Sequence, residues 1–223
     1  MTKALFYKEW IKTRRSVLLI VAVMAAGAAY SFVNTAQTFR VHGAVQVWNA
    51  VIVKDAAVLP ELLRWLPAGA GILLALSQFV PEMTGSRLKL TLHLPLPEGR
   101  IVATMLGYGI AVLAAVFLAA YAAVTAGIAI RYPAETVRNT VVDAAPWFLA
   151  GLFAYLAAAG ICLEPSWKYR LSCTAAALCL APAFFIDAPA GAYAPCIPYL
   201  SLLIVLCCAF PFHSTARFKD GAR

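Results

Sequence analysis

The side chains best placed for recognition chemistry lie in the segment 81–100, which separates two long apolar stretches. Two of its leucines are one helical turn apart, so its middle predicts a short amphipathic helix with prolines on both sides. The polar side chains are expected to be free to meet water or a partner, as in a docking surface. The predicted contacts are Glu82, Arg87, Lys89 and His93 as polar groups, with Leu88 and Leu92 as apolar anchors.

Motifs for catalysis or nucleotide binding are missing from the sequence. There is no G-x-x-x-x-G-K-[ST] phosphate loop, no H-E-x-x-H and no G-x-S-x-G, which excludes the chemistry that each of these motifs performs. The three histidines, His42, His93 and His213, lie in separate parts of the chain. We therefore expect no metal site and no enzymatic activity in this chain.

The composition is that of a membrane protein. Of the residues, 63% are hydrophobic and only 13% are charged, whereas soluble proteins carry about 25% charged residues. Mean hydropathy is +0.81, and several long stretches with few charges reach the ~20 residues that a membrane-crossing helix needs. The sequence predicts an all-α, polytopic membrane protein.

We predict one transmembrane domain, residues 1–223, with six spans. A basic and aromatic segment at 2–15 is expected to form an interfacial helix in front of span 1. Span 1 partly imitates a secretory signal peptide, and we interpret it as uncleaved, with cleavage as the alternative. The spans are expected at about 17–33, 60–80, 101–130, 144–163, 171–187 and 196–212, by their apolar length.

Residues 34–59, between spans 1 and 2, contain an apolar stripe with helical spacing: Val41, Val45, Trp48 and Ile52. This favours an amphipathic helix on the outer membrane face. A pair of strands is the alternative, because valines also alternate around position 46. Just beyond, Glu61 and Arg64 are three residues apart, so they can form an ion pair at the outer end of span 2 or simply snorkel to the interface.

The distribution of Lys and Arg predicts the orientation. Thirteen of the 18 lie in the N-terminal segment, the 81–100 loop, the 164–170 turn and the C-terminal tail, whereas four lie in the alternate loops. Because basic residues accumulate on the cytoplasmic side, both termini and the 81–100 loop are expected there. The net charge of +8 therefore reflects membrane topology and not nucleic-acid binding.

The order of these features resembles the membrane subunit of ABC exporters of the ABC-2 permease class. The specific part is the run P-E-x-x-x-x-R-L-x-L-x-L-x-L-P between spans 2 and 3. Its matching positions are Glu82, Arg87 to Leu94, Pro95 to Pro97 and Arg100, and residues 2–15 correspond to the family's elbow helix. The outer turn at 188–195 leaves little room for the re-entrant segment of many relatives, which bears on the substrate class.

The resemblance implies a permease subunit in a bacterial plasma (inner) membrane, paired with a second permease, identical or different. Each permease would dock a separate cytoplasmic nucleotide-binding ATPase through a coupling helix in the 81–100 loop. ATP and Mg would bind to that ATPase, so no cofactor is expected on this chain itself. The alternative is a non-transporting membrane scaffold or assembly factor that anchors a soluble partner, and an intramembrane enzyme is the third and weakest hypothesis.

Overall fold

The computed structural model describes residues 2–53, 56–84, 97–187 and 189–219, and no strand occurs among them. The all-α prediction is confirmed for this part of the chain. A short 3₁₀ helix, Ala181–Phe184, follows the fifth of the α-helices. These α-helices are α1 (Thr2–Val53), α2 (Glu61–Met83), α3 (Glu98–Ala129), α4 (Ala134–Leu163), α5 (Trp167–Leu180), α6 (Ile197–Cys207) and α7 (Ala209–Lys219).

Five helical stretches are long and apolar enough to cross a membrane, as a multi-pass membrane protein requires. The predicted span at 171–187 is not among them, because α5 ends after 14 residues, shortly before Pro182. The last of the five joins α6 and α7 across a turn at Cys208. The five stretches are Lys3–Val53, Glu61–Met83, Gly99–Ala129, Ala134–Leu163 and Ile197–Phe218.

The first helix is much longer than predicted. The expected boundary between an interfacial helix at 2–15 and span 1 does not exist, because no helix-breaking residue lies there and α1 is continuous through it. The only non-helical residue inside α1 is Gly43, with φ 74° and ψ 156°, a conformation that residues with a side chain rarely adopt. The 34–59 segment is therefore helical as far as Val53, and the strand alternative is wrong.

The predicted apolar stripe of this segment does not pack into the bundle. Val41 and Val45 are 74% and 82% exposed, whereas Val47, on another face of α1, is 4% exposed. The segment was thus predicted correctly as a helix as far as Val53, and its place on the outer membrane face stays a prediction.

Helix α4 also begins earlier than predicted. Residues 131–143 were expected to form an outer loop, yet α4 starts at Ala134 directly after Pro133. Proline before the first turn and Glu135 within it favour a helix start at this point.

The most extensive packing in the bundle joins α2 and α4. Gly71 of α2 lies against the backbone of Gly151 of α4, so that a Cβ at position 71 would collide with the Gly151 carbonyl. Small residues at such a crossing let two helix backbones approach closely. Around this contact the core includes Leu74, Phe79 and Leu156, which are at most 1% exposed.

Contacts between distant residues define two ends of the bundle. At the Glu82 end lie the start of α1 and the ends of α2 and α4; at the Arg64 end lie the starts of α2 and α4. The segment formed by α5 and the 3₁₀ helix runs from one to the other. Near its start, Arg170 Nε donates to the Glu164 carbonyl at 2.6 Å, and just past its end Asp187 pairs with Arg64 at 2.7 Å.

Candidate functional site

Glu82, the first of the predicted docking residues, lies in the last turn of α2. Its side chain is 3% exposed, and its Oε1 atom lies 2.9 Å from the Nζ atoms of both Lys8 and Lys12 on α1. Glu82 is thus not free to meet water as expected, because α1 brings two lysines one turn apart against it. The other carboxylate oxygen, Oε2, is buried without a hydrogen-bond partner among the described residues.

The other predicted docking residues lie outside the described residues, so their amphipathic helix and their docking role stay predictions. The structure does show how the loop is attached. Helix α2 continues through Pro81 to Met83, instead of stopping at the proline, and α3 begins at Glu98. The segment therefore joins two helices that are packed in the bundle. The residues concerned are Arg87, Leu88, Lys89, Leu92 and His93.

A second buried carboxylate completes the charge balance around Glu82. Glu9 is 1% exposed, and the Nζ atom of Lys12 lies 2.8 Å from its Oε2. The same Nζ donates to Oε1 of Glu9 at 3.0 Å. Two carboxylates and two ammonium groups therefore share one site with no net charge, and Lys12 lies between the two carboxylates.

The charged group continues into hydroxyl contacts with α3. The hydroxyl of Thr13, one turn after Glu9, lies 2.7 Å from the hydroxyl of Tyr108. It also lies 2.8 Å from the backbone carbonyl of Glu9, to which it donates. The ring of Phe6 packs edge-on against Tyr108, with centroids 5.7 Å apart. Helix α1 is thus joined to α3 by both polar and aromatic contacts.

A neighbouring set of hydrogen bonds joins α2, α3 and α4. Gln78 Nε2 donates to the Met105 carbonyl at 2.8 Å, and the Tyr155 hydroxyl donates to Gln78 Oε1 at 2.9 Å. Both side chains are fully buried. The Tyr155 hydroxyl packs against Gly109, the residue after Tyr108, where a side chain would collide with it.

We call these residues the Glu82 network: Lys8, Glu9, Lys12, Thr13, Gln78, Glu82, Tyr108 and Tyr155. They join α1, α2, α3 and α4 near the end of α2, just before the 85–96 segment in the sequence. Unpaired charges and unbonded polar groups are unfavourable in such a buried place, so the network favours one relative arrangement of the four helices. No group of three or more His, Cys, Asp or Glu side chains suited to a metal ion occurs in the described part of the chain.

A third buried carboxylate at the same end, that of Glu164, contacts the C-terminal helix α7. Glu164 is 1% exposed and lies 3.4 Å from Arg217 of α7. The guanidinium of Arg217 also stacks over the ring of Tyr169, 3.6 Å from its centroid. These contacts hold α7 against the end of α4 and the start of α5.

At the Arg64 end, the predicted ion pair has a different acidic partner. Arg64 pairs with Asp187 at 2.7 Å, and among the described residues it makes no ion pair with Glu61. Beside it, the rings of Trp65 and Phe185 stack with centroids 4.4 Å apart. The partner was missed because Asp187 is 123 positions away along the chain, and spacing predicts only local pairs.

The turn that carries Asp187 is held against α4. Asp143 accepts the backbone N–H of Gly191 with both carboxylate oxygens, at 3.0 and 3.1 Å. The hydroxyl of Tyr193 donates to the Ile186 carbonyl at 3.0 Å, and burial raises the pKa of this phenol, which keeps it protonated as a donor. Gly191 has φ 79°, which suits glycine at this turn.

Partial signals for the Glu82 network are present in the sequence. Lys8 and Lys12 are four residues apart, and Gln78 is a polar residue within an apolar stretch, which is unfavourable in a membrane without a partner. Sequence spacing could not show that these side chains lie close to Glu82, because their proximity depends on how α1 crosses α2. Comparisons of the chain with protein families, with curated proteins and with solved structures found no match.

Proposed function

We propose that this chain is the membrane-spanning permease subunit of an ATP-driven ABC transporter, an exporter of the ABC-2 class. The segment 81–100 would dock a separate cytoplasmic ATPase, which binds ATP and Mg, and a second permease, identical or different, would complete the transporter. The motif P-E-x-x-x-x-R-L-x-L-x-L-x-L-P and the order of the spans support this proposal.

The observation that carries the proposal is the buried contact of Glu82 with Lys8 and Lys12. Glu82 lies one residue before α2 ends at Met83, at the base of the proposed docking loop. A docking loop on a flexible linker would move without affecting the spans. A loop whose base is bonded to α1, and through the network to α3 and α4, would transmit a push to all of them.

The coupling step follows from the energetics of the network. Buried charge pairs are unfavourable to separate without replacement partners, so the helices would move together as one rigid unit. Closure of two ATPases on ATP would push each loop and tilt this unit relative to the second permease. The unpartnered Oε2 atom of Glu82 leaves an acceptor for a donor from the loop or from the ATPase.

The proposal includes six spans with both termini in the cytoplasm. Helix α5, with 14 residues, is about 21 Å long, and the four-residue 3₁₀ helix adds about 8 Å. Together they approach the ~30 Å thickness of the hydrocarbon core. Since they run from the Glu82 end to the Arg64 end, we assign them as span 5. The excess of Lys and Arg supports a cytoplasmic Glu82 end, in a bacterial plasma membrane.

The proposal is tested by mild-detergent purification of the tagged chain from its native membrane, with mass spectrometry of the proteins that co-purify. We expect a soluble chain with a G-x-x-x-x-G-K-[ST] motif in stoichiometric amount. A preparation that contains no ATPase, even after crosslinking in the membrane, would overturn it.

The same observation favours a second candidate function. A scaffold or assembly factor would also need a rigidly attached loop for its soluble partner. The two functions differ in what the partner does: the permease requires a partner that hydrolyses ATP and a cargo that crosses the bilayer, whereas a scaffold requires neither.

A further inference from the structure

The Arg64 end contains two adjoining clefts between the distal part of α1, the start of α4 and the turn after the 3₁₀ helix. Their volumes are about 700 Å³ and about 340 Å³. Val51 and residues 56–58 line both, so the clefts are halves of one crevice. Its size is in the range of small-molecule sites, about 300–1,000 Å³ for each cleft.

The smaller cleft is lined by one polar face of α1. Asn34, Thr38, His42 and Gln46 recur at helical spacing along it. The side chains of Asn34 and Gln46 carry both hydrogen-bond donors and acceptors, so this face is suited to a ligand with polar groups.

The larger cleft is lined by an excess of carboxylates. Arg64 is matched by its ion pair with Asp187, which leaves Glu61, Glu135 and Asp143 as further charged lining residues.

Helix stability explains only part of this arrangement. Glu61 and Glu135 lie in the first turns of α2 and α4, where a carboxylate stabilises the helix end. That role would be served by any exposed position in the first turn. It does not account for two helices that present their carboxylates to the same cleft, next to the indole of Trp147.

We propose that this crevice binds an organic cation. The carboxylates of the larger cleft would attract its positive charge, Trp147 would contact its apolar part, and the polar face of α1 would hydrogen-bond its neutral groups. The inference rests on the proposed function, in which this ligand is the cargo. The site is open at the end opposite the docking loop, where an exporter would release its cargo.

The test is calorimetric titration of the full-length chain in nanodiscs of zwitterionic lipid, without ATPase. The probes are three organic cations that differ in size, ethidium, tetraphenylphosphonium and spermidine, and an anionic dye of similar size to ethidium. We expect saturable binding of at least one cation and none of the anion. The double variant Glu61→Gln/Glu135→Gln should weaken cation binding about tenfold, since two attractive charges are removed.

Two further variants distinguish binding in the crevice from an effect of net charge elsewhere in the chain. Asp220→Asn removes one carboxylate near the C-terminus and should leave binding unchanged, whereas Asn34→Leu should weaken binding without changing net charge. Absence of binding for all three cations, equal binding of the anion, or equal affinity in all variants would overturn the inference. Because no ATPase is present, each of these outcomes is independent of whether an ATPase co-purifies.

Discussion

Lys12 Nζ donates to Oε1 of Glu82 at 2.9 Å, across 70 positions of sequence, and the same ammonium group contacts Glu9. Only 16% of the Lys12 side chain and 3% of the Glu82 side chain are exposed. This pair fixes the start of α1 to the end of α2, next in sequence to the proposed docking loop.

Substitution of Glu82 tests the energetic weight of this pair. Glu82→Gln keeps the shape of the side chain but leaves the two ammonium groups with one carboxylate, that of Glu9, in place of two. We expect unfolding to become easier by about 1–3 kcal/mol, below the full value for a buried pair because Lys8 is partly exposed. Chemical or thermal unfolding in detergent would measure it. The control Glu135→Gln removes an exposed carboxylate and should change stability by less than about 1 kcal/mol; equal effects would contradict a special role for Glu82.

The ion pair between Arg64 and Asp187 should contribute much less to stability than the pair between Lys12 and Glu82. The Asp187 side chain is 90% exposed, so water already solvates it and salt screens it. Asp187→Asn is expected to lower stability by less than about 1 kcal/mol. The same unfolding assay, repeated at high salt, measures both pairs. A loss larger than that of Glu82→Gln would show that the Arg64 end, and not the Glu82 network, holds the helices together.

Two glycines of α2 provide a matched test of the helix crossing. A Cβ at Gly71 would collide with the backbone of Gly151, whereas a Cβ at Gly69 would meet open space. We therefore expect Gly71→Ala to destabilise the protein by about 1–3 kcal/mol. Gly69→Ala should be neutral, or stabilising by about 0.5–1 kcal/mol, because alanine favours helix. The measurement compares the unfolding midpoints of the two variants with that of the wild type. A Gly71→Ala variant as stable as the wild type would contradict the close α2–α4 contact.

The buried Tyr155–Gln78 hydrogen bond can be removed with little change in shape. Tyr155→Phe leaves the Gln78 carbonyl oxygen buried without its donor, at an expected loss of about 1–3 kcal/mol. Tyr199, which is 74% exposed, provides the matched control, and Tyr199→Phe should have no measurable effect. Hydrogen exchange of α2 amides would report the same contrast locally. Unchanged exchange in Tyr155→Phe would mean that the bond does not hold α2 in place.

The sequence predicted the class of fold because composition and helical period are local properties. The bounds of α2 and α3 were predicted to within a few residues, since prolines and charged residues mark their ends. The length of α1 was not predicted, because Arg14, Arg15 and Ser16 are compatible with two arrangements. A helix can end there in the membrane interface, or it can continue into span 1. Only Gly43 interrupts it, and a single glycine does not predict a left-handed backbone.

The candidate site was less predictable for a physical reason. Glu82 was identified as a residue of interest, but its burial depends on the crossing of α1 over α2, which no local pattern encodes. Arg64 was likewise identified, with an ion pair to Glu61 or snorkelling as the two expectations, whereas its partner in the structure is Asp187. Long-range partners are set by the packing of whole helices, and spacing rules describe only one helix face at a time.

Site-specific photocrosslinking in the native membrane would establish whether segment 81–100 contacts an ATPase. A photoreactive amino acid would replace Lys89 in the proposed docking loop and, as control, the exposed Trp48 on α1. We expect position 89 to crosslink to a soluble chain with a G-x-x-x-x-G-K-[ST] motif and position 48 not to do so. Crosslinking of position 89 only to lipid or to a chain without that motif would rule out the proposed docking role.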